Sequence, residues 1–458
     1  MNKDCIAAIA TPVGEGGIAI IRISGPGSIK IAGKVFHPRS GNALENRPTH
    51  TLTLGLIQDN GGSTIDEALC SIMYGPHSYT GEDVVEINCH GGRLAASRCL
   101  QAVLNAGARL AEPGEYTKRA FLNGRLDISQ AESVIEIIRA RSDKALELSL
   151  RNLQGYLSKQ VAEIVEMMSL ANSRIEASID FPEEVGEPPW EELQANLIAA
   201  AAVLRKMLAG SQRTRVYREG IKVVIVGKPN VGKSTLLNAL LGKERAIVTD
   251  IPGTTRDVIE DIINIRGIPI RLMDTAGLRE TGDVVEKIGV EKTHEAIAEA
   301  ELVIFMLDAT TGITEADLKI LDIIRSKKKI VLINKEDIEH KAVDEADVKR
   351  SLPGYLVIKG SAKYDEGLVE LEDAIEEIAK EGTDALTEEV MVNHRQEQAL
   401  NKALNHMEDA LTLVVRRSDM DCLAVDTWGA VSCLEEITGK RIKEDIIERI
   451  FSDFCIGK

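Results

Sequence analysis

The residues with the plainest chemical purpose lie mid-chain, where GKPNVGKST runs from Gly227 to Thr235. This GxxxxGK[ST] pattern follows the apolar run KVVIVG and precedes LLNALLG, the strand, turn and helix that such a loop needs. Backbone N–H groups of Asn230, Val231, Gly232 and the helix start through Thr235 would cradle phosphates, Lys233 would neutralise β and γ oxygens, and Ser234 would offer its hydroxyl to Mg2+. A phosphate cradle does not choose a base. NKED, ending the run KIVLIN, supplies Asn334, Lys335 and Asp337. The Asp337 carboxylate can accept two hydrogens from guanine, where adenine has no matching donor pair, a difference worth up to about 10⁴ or more in selectivity. Ser361, Ala362 and Lys363 follow YLVIKG and can close over the base with their backbone. Asp274, Thr275, Ala276 and Gly277 follow PIRLM: Asp274 would hold Mg2+ through water and Gly277 would give its N–H to the γ-phosphate. The hydroxyl-rich loop Thr249, Asp250, Ile251, Pro252, Gly253, Thr254, Thr255 places Thr255 on the metal. In this order the segments spell a guanine-nucleotide hydrolase of the acid-anhydride class (EC 3.6).

The catalytic part departs from the common pattern. Leu278 stands where many small GTPases carry a glutamine that orients the attacking water. Either hydrolysis is slow, as in a bare switch, or charge and base come from elsewhere. Asn230 is a neutral oxygen donor beside the phosphates, suited to a monovalent cation or equally to a turn. Glu286, in RETGDVVEK, is a base candidate or a solvated helix charge.

The elements that must position these residues divide the chain into several domains, as its 458 residues suggest. Residues 1–118 mix short β-rich runs, IAIIRIS and DVVEINCH, with Gly and Pro punctuation, which predicts an N-terminal α+β domain. From Ala131 to Ile179 Gly and Pro nearly vanish, and Leu146, Leu150, Leu153, Leu157, Val161, Ile164 and Met168 recur at helical steps, predicting a long helix or a pair. The same step returns in Leu400, Leu404, Met407 and Leu411 and in Val431, Leu434 and Ile437. Residues 119–212 and 383–458 are therefore expected to pack as one discontinuous helical domain. Residues 216–378, with strand-like runs between helical stretches, are expected to form an inserted α/β P-loop G domain with a mostly parallel sheet. Asp180 to Trp190, rich in Pro and acids, is expected to be an exposed loop.

An apolar fraction of 44% and a charged fraction of 28% exclude a disordered chain, and no apolar run reaches the roughly 18 residues of a membrane span. The N-terminus has too short an apolar stretch before Pro12 for export, so a cytoplasmic protein with no membrane partner is expected. Seven Cys without a CxxC pair argue against a disulfide framework and a structural zinc site. A net charge of −17 gives no support to strong independent RNA binding, so an RNA substrate would need a local basic patch or a partner protein.

GKPNVGKSTLLNAL, TDIPGTTRD, DTAGLRE followed by VEKIGVE, and FCIGK together resemble the MnmE (TrmE) family, GTPases of tRNA uridine-5-carboxymethylaminomethyl modification. ATPVGEGGIAIIRISG, TGEDVVEINCHGG and PGEYTKRAFLNGRLDISQAE match as well, so the resemblance spans the chain. It implies that Asn230, main-chain oxygens of Thr249 and Ile251, and Thr254 hold K+ where other systems use an arginine finger. It implies further that Glu286 acts on the water through a second water, and that Arg256, Asp257 and Arg279 help G domains meet. The family's N-terminal domain dimerises and binds a tetrahydrofolate derivative, 5-formyl or methylene, at positions matching Arg22, Glu86, Arg125 and Lys458; a pterin edge suits a carboxylate and a glutamate tail suits Arg. Arg125 is a mild departure, since Lys also occurs there. Resemblance also implies a homodimer that joins the flavoprotein MnmG, which carries FAD, in a heterotetramer or larger assembly. The pair adds an aminomethyl-type group at C5 of the wobble uridine, with tRNA held mainly through the partner.

Cys455 is placed like a prenylation box, but CIGK lacks the aliphatic and terminal residues of one; a redox or nucleophilic thiol and a buried structural Cys both remain open. The glycines after His90 favour a tight turn over a catalytic role. A rival function is a nucleotide-dependent regulatory switch binding RNA or a ribosome-assembly partner. A folate-dependent one-carbon enzyme with an accessory GTPase is the other.

Overall fold

Residues 4–12, 14–41, 43–243, 261–273, 294–343, 345–352, 354–381 and 390–458 are described in the structure, a computed structural model. They divide into two compact units, one made of Met1–Ile138, Leu150–Leu204 and His394–Lys458, the other of Arg139–Ser149 and Arg205–Asn393.

In the first unit, β1 (Ile6–Ile9), β2 (Ala19–Ser24), β3 (Phe36–Pro38), β4 (Leu52–Gln58), β5 (Thr64–Met73), β6 (Val84–Cys89) and β7 (Arg109–Leu110) form a sheet of order β3-β4-β5-β6-β2-β1-β7. All pairs are antiparallel except β1 with β7. The two-residue period of a strand explains what each face does. Ile21, Ile23, Val85 and Ile87 join one core with Ala32 and Val35 of the helix Ser28–Val35 and with Ala96, Cys99 and Val103 of the helix Arg93–Asn105. The intervening Arg22 and Glu86, partners in the β2–β6 register, are left for the other face.

The same unit holds helices Ile128–Arg139, Tyr156–Asp180, His394–Arg416, Met420–Thr438 and Glu444–Ser452. Leu157, Val161, Ile164 and Met168 are buried, as are Leu400, Met407, Val431, Leu434 and Ile437. The apolar run from Leu146 to Met168 is not one helix. It breaks between Leu153 and Tyr156 at Gly155, whose φ of 89° a glycine takes without strain, and Leu146 and Leu150 are exposed. Helices from both flanks are joined by a buried ion pair, Glu132 accepting from Arg395 Nε and Nη2 at 2.7 Å each and from Gln396 Nε2 at 2.6 Å. The expected loop from Asp180 is exposed through Glu187, but Pro182–Val185 makes a helical turn, and Trp190 is buried at the start of the helix Trp190–Glu219.

The N-terminal sheet and the helices fall in one compact unit, and residues 139–149 fall with the G-domain sheet, where Ser142 Oγ donates to Tyr217 O (3.2 Å) and Asn264 Nδ2 to Arg141 O (3.1 Å).

In the second unit, β8 (Ile221–Gly227), β9 (Asp261–Ile265), β10 (Ile268–Leu272), β11 (Leu302–Asp308), β12 (Lys328–Asn334) and β13 (Leu356–Lys359) take the order β13-β12-β11-β8-β10-β9. Every pair is parallel except the β9–β10 hairpin. β11 is buried at every position, with one core on each side of the sheet, which is why its sequence shows no alternation. The chain leaves β8 toward β9 and β10 on one side and returns to β11 on the other, so a topological switch point lies between β8 and β11. Ligands of such sheets sit outside the carboxyl ends of the strands at that point. No helix among the described residues is long and apolar enough to cross a membrane.

Candidate functional site

Gly227, Asp308 and Asn334 end β8, β11 and β12 on that carboxyl edge, with Met306 opposite Gly227 and Asp308 opposite Asn334 in the ladder. The phosphate loop turns tightly. Asn230 has φ 63°, a left-handed backbone that Asn tolerates better than most residues, and Gly232 has φ 106°. A Cβ on Gly232 would overlap Asn334 Nδ2, so the glycine is required by space as well as by conformation. Val231 is buried, and the helix Lys233–Lys243 begins at once, bringing Lys233, Ser234 and Thr235 into its first turn. Lys233 Nζ donates to Gly227 O (2.8 Å) and Lys228 O (2.7 Å), curled over the loop where phosphate oxygens would compete for it. Burial holds its ammonium below the ordinary lysine pKa, a cost that an anionic ligand would reverse.

Buried Asn334 ties the three segments of the pocket together. Its Nδ2 donates to Val231 O in the phosphate loop (2.8 Å) and its Oδ1 accepts from Ala362 N in the base loop (2.9 Å). Asp337 Oδ1 accepts from Ser361 Oγ (2.6 Å), which aims the carboxylate that sequence reasoning assigned to guanine. Lys335, at φ 67°, donates from Nζ to Asp308 Oδ2 (2.6 Å). Burial would push the Asp308 carboxyl up, but bonds from Lys335 and Thr310 outweigh it and hold it below its ordinary value. Lys228 reaches Asp317 Oδ2 (2.7 Å), and Asp317 also closes the capping box with Thr314 that starts the helix Glu315–Ile323. Asp308 and Asp317 escaped the sequence reading; the available signal was an Asp ending an apolar run and a Thr-x-x-Asp before a helix.

Asn230, Val231, Gly232, Lys233, Ser234, Thr235, Asn334, Lys335, Asp337, Ser361 and Ala362 are therefore gathered on one edge of one sheet. Thr249, Asp250, Ile251, Pro252, Gly253, Thr254, Thr255, Arg256, Asp257, Asp274, Thr275, Ala276, Gly277, Leu278, Arg279 and Glu286 lie outside the described residues.

A second cluster lies on the N-terminal sheet. Arg22 Nε binds Glu86 Oε1 at 2.8 Å, and its Nη1 donates to Gly457 O at 3.1 Å. The guanidinium also lies over the rings of Tyr79 (5.5 Å) and Tyr116 (5.7 Å). Arg125 covers Tyr79 as well (5.0 Å) and donates to its carbonyl (2.6 Å). Lys458 O accepts from Tyr116 N (3.2 Å); burial, followed by the neighbouring Arg22, holds the Lys458 side chain below the ordinary lysine pKa. Arg22 and Arg125 thus both lie over Tyr79, Glu86 pairs with Arg22, Lys458 neighbours both, and Tyr116 is fully buried in the core beside Tyr79. Tyr79 and Tyr116 were missed in the sequence, where nothing in their spacing marks them. Cys455 is exposed, which removes its reading as a buried structural thiol, and its carbonyl accepts from Gly114 N (3.4 Å).

Comparison with known proteins places the chain by its whole length. Residues 5–125 match the family model described as GTP-binding protein TrmE N-terminus, and residues 128–455 match that of the MnmE helical domain. A protein of Syntrophomonas wolfei named tRNA modification GTPase MnmE is 52% identical over 462 residues, covering all of both chains. One of the same name from Moorella thermoacetica is 49% identical over 466 residues, again covering all of both, and one from Desulforamulus reducens is 46% identical over 463. With a G-domain pocket in one unit, a charged aromatic cluster in the other, and identity at this level along the whole length, the chain belongs to the MnmE family of tRNA modification GTPases.

Proposed function

We propose that this chain is a K+-activated GTPase whose hydrolysis cycle drives addition of a carboxymethylaminomethyl or aminomethyl group at C5 of the wobble uridine of tRNA. In this reading it works in the cytoplasm as a homodimer with the flavoprotein MnmG, which brings FAD and most of the tRNA contact. One observation carries the nucleotide half: Asn334 locks the phosphate loop to the base loop, with Asp337 aimed by Ser361 beside it. The full-length likeness to tRNA modification GTPases supports the tRNA half.

Ser234 and Asn230 are the cation-holding candidates among the described residues. Ser234, in the first helical turn beside Lys233, suits Mg2+ together with Thr255, and Asp274 would hold that ion through water. Asn230, whose left-handed backbone sits at the turn of the phosphate loop, suits K+ together with Thr249, Ile251 and Thr254. The bound cations supply positive charge against the charge that builds on the leaving phosphate. Lys233 exchanges its carbonyl partners for phosphate oxygens, Asp337 selects the base, and Glu286 positions the attacking water. Arg22 and Arg125 over Tyr79, with Glu86 and Lys458 beside Arg22, suit a tetrahydrofolate derivative.

Steady-state GTP hydrolysis in KCl against NaCl at equal ionic strength, with Asn230→Ala alongside, tests the reading. Strong stimulation by K+ that the variant loses supports it; equal slow rates in both salts would return the chain to the switch alternative.

A further inference from the structure

We propose that the N-terminal sheet carries a site for one thiophilic divalent cation of the Zn2+ class, held by Cys89, Cys99 and Asp66, with His90 positioning the carboxylate. No CxxC spacing announces it, because the ligands come from three elements. Cys89 ends β6, Asp66 lies in β5, and Cys99 lies on the helix Arg93–Asn105. The fold brings their two sulfurs and a carboxylate oxygen within 4.8 Å of one another. In a tetrahedral zinc site with metal–sulfur distances of about 2.3 Å and metal–oxygen distances of about 2.0–2.2 Å, ligand atoms stand roughly 3.5–3.8 Å apart, so small side-chain movements close the set.

Orientation is already built. Asp66 Oδ2 accepts from His90 N (2.8 Å), and its Oδ1 is 2.7 Å from His90 Nδ1. Cys89 Sγ contacts Ala19 O at 3.4 Å. Both thiols are buried and Asp66 is largely covered, whereas the His90 ring is 73% exposed. The arrangement matches the outer hydrogen bonds that fix metal ligands in known sites.

Burial alone does not explain this pair. Cys70, in the same core, behaves as a small apolar residue with its thiol pushed up to about 12 by burial. Cys89 and Cys99 differ from it in placement, their sulfurs lying within 4.8 Å of each other and of an Asp66 carboxylate oxygen, so three groups that can each become an anion converge. A dication bound there replaces the two thiol protons. Binding releases two thiol protons and involves no change of oxidation state, so affinity must rise with pH.

The test uses the full-length chain, reduced with a phosphine, stripped by a chelator and titrated with Co2+ as the probe. The expected result is one equivalent bound with sulfur-to-cobalt charge-transfer absorption, erased by one equivalent of Zn2+. Cys89→Ser and Cys99→Ser lose the absorption and Cys70→Ser keeps it. His90→Ala keeps it with affinity about 10–100-fold weaker, as for a residue acting through a ligand. Absence of thiolate absorption in the unmutated chain overturns the proposal, whether or not the variants fold, as does absorption that survives both Cys89→Ser and Cys99→Ser. Because no nucleotide, folate or tRNA enters the measurement, the result is independent of the function proposed above.

Discussion

Asn334 makes two buried hydrogen bonds to segments 103 and 28 residues away in sequence, so its loss is felt at both ends of the nucleotide. Asn334→Ala leaves Val231 O and Ala362 N without partners, a cost of about 1–3 kcal/mol for each buried group left unpaired. We expect nucleotide affinity, read by fluorescence titration with a labelled GDP, to fall by at least tenfold. Asp337→Asn removes an acceptor and adds a donor where guanine offers donors. GTP affinity should fall by about 10²–10⁴-fold, while xanthosine triphosphate, which presents an acceptor there, gains in competition. An unchanged GTP/XTP ratio would remove Asp337 from base recognition. The nucleotide residues are legible in sequence because backbone cradles and base edges demand fixed types at fixed spacing. Their supports are not: Lys228 is bound beside Thr314 across 86 residues, and no spacing rule links a lysine to a carboxylate that far away.

Whole elements are legible where one physical demand dominates. β8, β11 and β12 read directly because burial on both faces fills them with Val, Ile and Leu. The stripe before Met168 misleads over its first turns, because Leu146 and Leu150 keep the helical step yet face outward. The helix pairing depends on a few polar groups that periodicity ignores. Glu132→Ala leaves the Arg395 guanidinium with its bonds to Glu436 O and Ile437 O but no compensating charge, and should cost about 3 kcal/mol in urea unfolding of the first unit. At the edge of the N-terminal sheet, Arg109 and Arg119 both bind Asp4 and Glu115. Burial raises both carboxyl pKa values, but the guanidiniums outweigh it and hold them below the ordinary 3.8 and 4.5. Their folded pKa values being depressed, the stability they confer is present above the unfolded values and disappears as pH falls through the folded ones. Denaturation midpoints should therefore drop on acidification below about pH 4.5. Glu115→Gln should be less stable at neutral pH and less sensitive to acid.

At the scale of the molecule, chemistry is divided between two compact units, with the nucleotide pocket wholly in one and the Arg22 cluster wholly in the other. Deleting residues 455–458 removes Gly457 O from Arg22 and Lys458 O from Tyr116, and with them the bridge between Pro113 and Ile456. We expect such a chain to lose binding of 5-formyl-tetrahydrofolate, measured by calorimetry, while its affinity for GDP stays within about twofold. Loss of both together would mean that the two units do not act separately. The contact between Arg22 and Gly457 spans 435 residues of sequence. At about 5–20 residues per second, the ribosome delivers Gly457 roughly 20–90 s after Arg22. Through that interval the sheet that is made first has its guanidinium and its tyrosines but not its last carbonyl. A nascent chain, or one released early, has its whole nucleotide domain before it has the carbonyl that completes the Arg22 cluster, so the earliest part of the protein to be synthesised is among the last to be finished.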